Sequence, residues 1–456
     1  MGNQFANRLH MQLSVFSILL ICIGSSAAAA TLEVGPSKRF DRIEQAVAAA
    51  IPGDVIEVYP RAGGKAYERV GVYVDKPHLT IRAAGVEAGQ RITLSGKGFE
   101  HSGRGRTPRA IFQFNRGADH CVLEGFELTG ASNNTNNGAG VRINQANHVT
   151  IRNCDVHDNE MGIMSNGDGT PRTAVNQRIE HCAIHNNGDP KSQRFHHNLY
   201  LGGTSVTLRF CEVHHSHKGH NIKSRAHFTR VEYSYVHHSS NREFDLVDST
   251  DTTRHGSHAV LLGNIIVKDP QTKGNKAVIH FGQDGGSEHD GTLYLVHNTI
   301  VTPFVSPVVD LSSAKARSVL FGNIIDDGGR RRNNQTLADA RRGGASAKHV
   351  SGIGNWFAPG FGAKLEQTSL NTTENTVADQ SQRLYVNPHK HDYNLREAWP
   401  GIVRAGRSLN MLQLPSTPGV SKETIPLRWQ YVHPLDKKLR AVPNQPDLGA
   451  QEFNQP

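Results

Sequence analysis

Four segments of this chain share one pattern: VTIRNCDVHDN (Val149 to Asn159), QRIEHCAIHNN (Gln177 to Asn187), VTLRFCEVHHS (Val206 to Ser216) and TRVEYSYVHHS (Thr229 to Ser239). In each, apolar residues alternate, a cysteine or serine follows, and a histidine stands three places beyond it. The equivalent residues Cys154, Cys182, Cys211 and Ser234 are 28, 29 and 23 positions apart. LLGNIIVKD, LVHNTIVTP and LFGNIID continue the series with Asn264, Asn298 and Asn323 in the same place. VLEGFELTG, VIEVYP and LTIRAAG precede it with the same rhythm. Repetition at intervals of roughly 20 to 50 residues marks a chain that winds, each coil stacking on the one before.

Short alternating strands rich in Gly and Asn, not arranged as paired hairpins, predict an all-β solenoid of parallel strands. Equivalent residues of successive coils then lie about 4.8 Å apart. Asparagine amides in such a column hydrogen-bond along the stack, and small Cys and Ser side chains fill the interior. Cys154, Cys182 and Cys211 are therefore expected as stacked, buried thiols. Four cysteines in an exported chain are also compatible with disulfides, but the column favours thiols.

The chain has 456 residues and a formal charge of +9. Residues 1–30 carry Arg8, the apolar run LSVFSILLICIG and then SSAAAA. A basic lead, a short apolar core and a small-residue exit read as a signal peptide. The run is short for a membrane span, so stable membrane insertion is not expected. Export to the periplasm or beyond the cell is expected, with residues 31–456 as one domain that acts as a monomer. A basic exported protein that keeps all of the chain's 26 histidines but His10 favours polyanions. No helix-turn-helix, zinc-finger or RNA-binding signature occurs, so acidic polysaccharide or oligosaccharide is the expected partner and nucleic acid is not. From about Gly328 the periodicity loosens. RRRNNQTLADARRGG (Arg330 to Gly344) is expected as an exposed basic loop, and the remainder as terminal coils and a C-terminal cap.

FDRIEQAVAAAIPGD (Phe40 to Asp54) reads as a short amphipathic helix suited to cover the N-terminal end. That helix, the following GDVIEVYP, the GNIIV-type turns and the closing phrases DYNLREAWPGIVRAG (Asp392 to Gly406) and PDLGAQE (Pro446 to Glu452) carry a resemblance. The sequence resembles the right-handed parallel β-helix proteins of the pectate-lyase-like superfamily. The resemblance implies a single-domain, right-handed parallel β-helix over nearly the whole mature chain. It leaves the reaction open, because that superfamily holds lyases, hydrolases, epimerases and binding proteins.

HHSHKGHNIKSRA (His214 to Ala226) crowds histidines with two lysines and an arginine. Tyr200 lies eleven residues before Cys211, and Lys223 eleven before Ser234, so both occupy one position of adjacent coils. Alternation sends Ile222 and Ser224 inward and Asn221, Lys223 and Arg225 outward. The same rule turns Asn198 and Tyr200 outward in the coil before, where Gly202 leaves space beside Arg225. It turns Glu243 and Asp245 outward in the coil after. Two columns result, Asn198–Asn221–Glu243 and Tyr200–Lys223–Asp245. Arg142, Asn144, Asn166 and His280 extend the patch, and His197 and His220 stack at the bend before it. Insertions at 167–175 and 250–257 are placed to wall a groove. A polar, solvated outer face is the plainer alternative, but the convergence of these groups on three coils favours a site. The second column, His157, His185, His214 and His237, is read as a stacked surface row and not as a metal row, since neither HExxH nor paired CxxC occurs.

Such a face suits β-elimination of an acidic polysaccharide, which needs a cation on the sugar carboxylate, a base and a proton donor. Arg225 has the planar fork for the carboxylate. Lys223, crowded by Arg225 and histidines, is expected to have a lowered pKa and to serve as base, with Tyr200, His197 or His220 as donor. Asn198, Asn221, Glu243, Asp245, Arg142 and His280 are assigned to substrate binding. The resemblance implies the same roles for Lys223 and Arg225, and often calcium at the carboxylate. Glu243, Asp245, Asp248 and Asp251 offer oxygens, but no calcium motif is matched, so no cofactor is assigned. A glycoside hydrolase, a C5-epimerase and a non-catalytic polysaccharide-binding surface protein remain as alternatives.

Overall fold

The computed structural model describes residues 29–249, 254–284, 289–330, 332–421, 427–440 and 445–453. The signal peptide expected over 1–30 lies, apart from Ala29 and Ala30, outside the described residues, as does part of the insertion expected at 250–257. Among the described residues no helix is long and apolar enough to cross a membrane.

The chain winds. Each coil lays one strand on each of three sheets, of twelve, eleven and ten strands, and neighbouring strands in all three are parallel. This is the parallel β-helix that the pectate-lyase-like resemblance implied. The first sheet begins with Thr31–Val34 and ends with Val350–Ile353. The second runs from Ile92–Ser95 to Thr376–Val377, and the third from Val72–Val74 to Ala338–Asp339. A seven-residue helix, Ile43–Ala49, packs against the first strands and buries Ile43, Ala46 and Val47. Lys76 Nζ donates to the carbonyls of Val47, Ala48 and Ala50, closing the helix C-terminus.

The inward residues stack like on like. On the third sheet Phe112, Val141, Ile163, Leu199, Ile222, Phe244, Ile279 and Val309 follow one another in register, all buried. Each such side chain contributes about 1.5–3 kcal/mol through burial. The register is strict because a slip of one residue would turn every inward side chain to water.

The corners carry a second kind of order. Between the first and second sheets, Cys154, Cys182 and Cys211 lie buried as free thiols, as the column required. Cys211 N donates to Ser234 Oγ, and Ser234 N to Asn264 Oδ1. From there the amides form a ladder: Asn264, Asn298, Asn323, Asn355 and Asn375, each Nδ2 donating to the next Oδ1 at 2.8–3.1 Å. Each of these Oδ1 atoms also accepts a backbone N–H of the preceding coil. The ladder thus runs two coils past the loosened periodicity.

The stretch expected as a basic loop at Arg330 to Gly344 departs from that expectation in its middle. Leu337 and Ala338 are buried, Gln335 is fully enclosed, and Ala338–Asp339 adds the last strand of the third sheet. The apolar pair Leu337–Ala338 completes the core of that coil, while Arg341 and Arg342 stay exposed. The C-terminal tail then returns along earlier coils. Ser205 Oγ and Arg230 bond to backbone and side-chain oxygens at 415–418, and His181 meets the Leu435 carbonyl.

Asn298 Nδ2 donates to Leu261 O and Asn323 Oδ1, and its Oδ1 accepts twice from Asn264. Asn298→Ala strands these buried partners and is expected to cost about 2–4 kcal/mol. Urea denaturation at neutral pH measures this, and an unchanged midpoint would remove the ladder's structural role.

Candidate active site

The outward column of the third sheet reads Arg142, Met164, Tyr200, Lys223, Asp245, His280 and Asp310 in direct register. Tyr200, Lys223 and Asp245 are vertical neighbours, as their offsets from the corner column require. Lys223 Nζ lies 2.7 Å from Asp245 Oδ2.

The other expected column is corrected. Asn198, Asn221 and Glu243 do not face outward; all three are fully buried. They stand one residue before the strands Leu199–Leu201, Ile222–Ser224 and Phe244–Val247, at the second corner, where strand alternation does not yet hold. There they continue a ladder from Asn159 and Asn187: Asn187 Nδ2 donates to Asn198, Asn198 to Asn221, and Asn221 to Glu243, at 2.6–3.0 Å. Each asparagine also caps a carbonyl at the end of a second-sheet strand, Asn198 that of His214 and Asn221 that of His237. Glu243 ends the ladder beside Lys268 Nζ, 3.6 Å away. Burial pushes the Glu243 carboxyl up to about 7 and the Lys268 amine down. These residues shape the wall from inside and reach no ligand. Gly202 is also less open than expected: a Cβ there would come within 3.0 Å of the Ser165 carbonyl.

Asp245 is the centre of the outward group. Besides Lys223 it meets His280 Nδ1 at 2.7 Å, Arg242 Nη1 at 3.3 Å and His220 Nε2 at 3.5 Å. Burial opposes its charge, but these donors hold the carboxyl well below the usual range. His280 Nε2 contacts Ser312 Oγ at 2.8 Å, and Arg242 Nη2 reaches Asp310 at 3.0 Å.

Asp284, from the loop after the strand Ile279–Gly282, adds a second carboxylate. It lies 3.0 Å from Lys223 Nζ, accepts from Arg225 Nε at 2.9 Å, and also meets Arg225 Nη2. One carboxylate thus bridges the lysine and the arginine. The expected lowering of the Lys223 pKa is overturned: burial disfavours the ammonium, but Asp245 and Asp284 outweigh it and raise the pKa. The amine that crowding by cations was expected to neutralise is held charged by two anions.

His197 and His220 stack with ring centroids 5.2 Å apart. His197 Nδ1 accepts the His220 backbone N–H at 3.0 Å, which places the His197 proton on Nε2. Gly219 permits this approach, since a Cβ there would come within 2.5 Å of His197 Nδ1. Both rings are nearly buried, and burial pushes the His220 imidazole down to about 4 against the pull of Asp245. His197, likewise buried and beside His220 and Lys223, lies well below the usual range. Both are neutral near pH 7. The edge of His197 meets Tyr200, centroids 5.2 Å apart, and the Arg225 guanidinium lies 5.2 Å over the Tyr200 ring. Phe195, exposed at 62%, stacks beyond His220.

Two coils before Tyr200, Arg142 is half-buried. Burial, and Arg109 nearby, push its guanidinium down to about 10. Nη1 lies 3.5 Å from Met164 Sδ, a weak acceptor, and among the described residues no carboxylate pairs with it.

Of the four carboxylates considered for calcium, the three among the described residues do not form a site for it. Calcium wants six to eight converging oxygens. Glu243 faces the interior beside Lys268, Asp245 is occupied by four donors, Asp248 is buried, and Asp251 lies outside the described residues.

Arg242, Asp284, Asp310 and Ser312 join the site without having been foreseen. Asp310 was within reach, since VVDL continues the Tyr200 column in register. Asp284 carries no periodic signal, because it comes from a loop.

No family model matches this sequence, and no curated protein matches it. Among solved structures, the chain is similar to an alginate lyase from Paenibacillus sp. str. FPU-7, at 16% identity over 70% of this chain and 99% of that one, with a TM-score of 0.45. It is similar to pectate lyase Pel9A at 14% identity over 93% and 96%, with a TM-score of 0.45. It is also similar to a DFA-IIIase from Arthrobacter chlorophenolicus A6 at 12% identity over 77% and 99%, with a TM-score of 0.37.

The His220 imidazole and that of His289, which burial also pushes down to about 4, fold in the neutral form. Their folded pKa values lie below the unfolded value, so the unfolded chain binds more protons in between. Their contribution is whole above about pH 6.5 and is lost as pH falls towards 4. The unfolding free energy from urea denaturation is expected to fall between pH 7 and 4.5 by at least ~2 kcal/mol. His220→Gln should flatten that dependence.

Proposed function

We propose that this protein is a carbohydrate-active enzyme that cleaves an acidic, uronate-containing polysaccharide by β-elimination on the face bearing Tyr200, Lys223 and Arg225. The observation that carries this reading is the Asp284 carboxylate seated on Lys223 and Arg225 together. The two cations form a seat for one carboxylate, and in the working complex the sugar carboxylate takes it while Asp284 swings away. A charged Lys223 cannot act as base. It and Arg225 neutralise the uronate, which makes the adjacent C5 proton acidic.

Tyr200 stands one coil away with its hydroxyl on the same side, and His197 lies at its edge. The phenol oxygen takes the C5 proton as the phenol gives its own proton to the leaving C4 oxygen, while His197, edge-on to the ring, holds Tyr200 in place. The electrons of that C–H bond form the C4=C5 double bond as the C4–O bond breaks. The leaving oxygen thus carries the phenol's original proton and Tyr200 ends protonated by the C5 proton, so the step balances without an outside reactant. Asp245, His280 and Arg242 hold Lys223 in place from the next coils. Arg142, about 10 Å along the stack from Tyr200, receives the carboxylate of a neighbouring sugar. Asp245, locked ionised by four donors, is unsuited to the acid role a glycoside hydrolase needs.

The test is incubation with alginate, pectate and glycosaminoglycans while following the absorbance of unsaturated uronate. Lys223→Ala, Arg225→Ala and Tyr200→Phe should each lower kcat/KM by about 10³-fold or more with the fold intact. Asp284→Asn, which weakens the resident competitor, should lower KM. Cleavage without unsaturation would favour hydrolysis, and binding without product, unchanged in Lys223→Ala, would favour an adhesive surface. Full activity in Arg225→Ala would sink the mechanism.

A further inference from the structure

The row His157, His185, His214 and His237 on the second sheet stacks ring on ring, with centroids 4.7–5.1 Å apart. At its last member the returning tail arrives. His391, at the end of the turn Pro388–Lys390, and His433 both approach Glu212, on the strand before that of His237. Ligand atoms of Glu212, His237 and His391 all lie within 4.8 Å of one another. His237 Nε2 is 3.1 Å from Glu212 Oε1, and His433 Nδ1 is 3.4 Å from Glu212 Oε2.

Three further features mark this as more than a polar contact. Glu212 is buried, yet among the described residues no lysine or arginine pairs with it. Burial of a carboxylate is costly unless a cation or good donors compensate. Each group also has an outer partner that fixes its orientation, as metal ligands commonly do. Tyr235 Oη lies 3.0 Å from His391 Nδ1, Tyr431 Oη donates to Glu212 Oε2, and His237 Nδ1 meets His238 Nδ1 at 2.7 Å. Finally, a cavity of about 680 Å³, lined by His238, His391, Tyr393 and Arg396 among others, reaches the cluster at His391.

We propose that Glu212, His237 and His391, with His433 as a fourth group at hand, bind one divalent transition-metal cation that ties the C-terminal tail to the side of the β-helix. Two imidazoles and one carboxylate suit Zn²⁺, Ni²⁺ or Cu²⁺, whereas calcium demands oxygens. The cation takes the place of the proton between His237 Nε2 and Glu212 Oε1, and that proton moves to His237 Nδ1, where His238 Nδ1 accepts it. It joins coils near 212–237 to a segment more than 150 residues later in the chain, and its removal should loosen the tail first. This site is independent of the uronate-cleaving face.

The experiment uses the full mature chain without a histidine tag, stripped with a chelator and titrated with Zn²⁺ by calorimetry. One equivalent should bind with submicromolar affinity, raise Tm by a few degrees and slow proteolysis of the tail. Calcium should do none of these. His391→Ala changes a half-exposed tail residue, and it should weaken Zn²⁺ binding at least 10-fold while leaving uronate cleavage unchanged. Glu212→Gln should do the same to binding if it folds. Absence of a stoichiometric Zn²⁺ equivalent, or its full retention in His391→Ala, would overturn the site and leave a hydrogen-bonded network in its place.

Discussion

Hydrogen bonding along the stack governs this molecule. In a parallel coil each strand bonds to the coils above and below, and at two corners the side chains do the same. The Asn264–Asn375 ladder and the Asn159–Glu243 ladder satisfy backbone groups that the bends would otherwise leave bare. Because those side chains sit at fixed points of each turn, they hold the register of all three sheets at once. Every outward column inherits that register.

The candidate site shows what such inheritance supplies. A rung spacing of about 4.8 Å places groups from three to five coils within ion-pair reach without any one loop needing to be long. Lys223, Asp245 and His280 come together for this reason alone. The spacing also forces compensation, since cations stacked this closely repel unless carboxylates separate them. Asp245 from the column and Asp284 from a loop do so. The site is close to neutral at rest, and the carboxylate that holds it so is the group that the proposed uronate substrate would replace.

The parts legible in advance were those governed by periodicity. The offset of eleven residues from the corner column put Tyr200 and Lys223 side by side, and the small Cys and Asn residues announced the interior of one corner. Asn198, Asn221 and Glu243 were misjudged because they lie one step outside their strands, where the backbone bends and alternation fails. The ionisation of Lys223 was misjudged because Asp284, 61 positions on, gives no repeating signal. The middle of 330–344 was masked by its arginines, although Leu337 and Ala338 supply the apolar pair that a coil needs.

The sequence by itself determined the winding, because small residues recurring at coil-length intervals in short strands broken by Gly and Asn, with no paired hairpins, favour stacked parallel coils. It also determined which side chains share the Tyr200 column, since strand alternation is local. Only the tertiary structure decided what neutralises Lys223, what turns inward at the second corner, and where the tail returns to meet Glu212 and His237. Those outcomes depend on loops and on chain segments far apart in sequence, and their contacts follow from closure of the three-dimensional path, which no local pattern encodes.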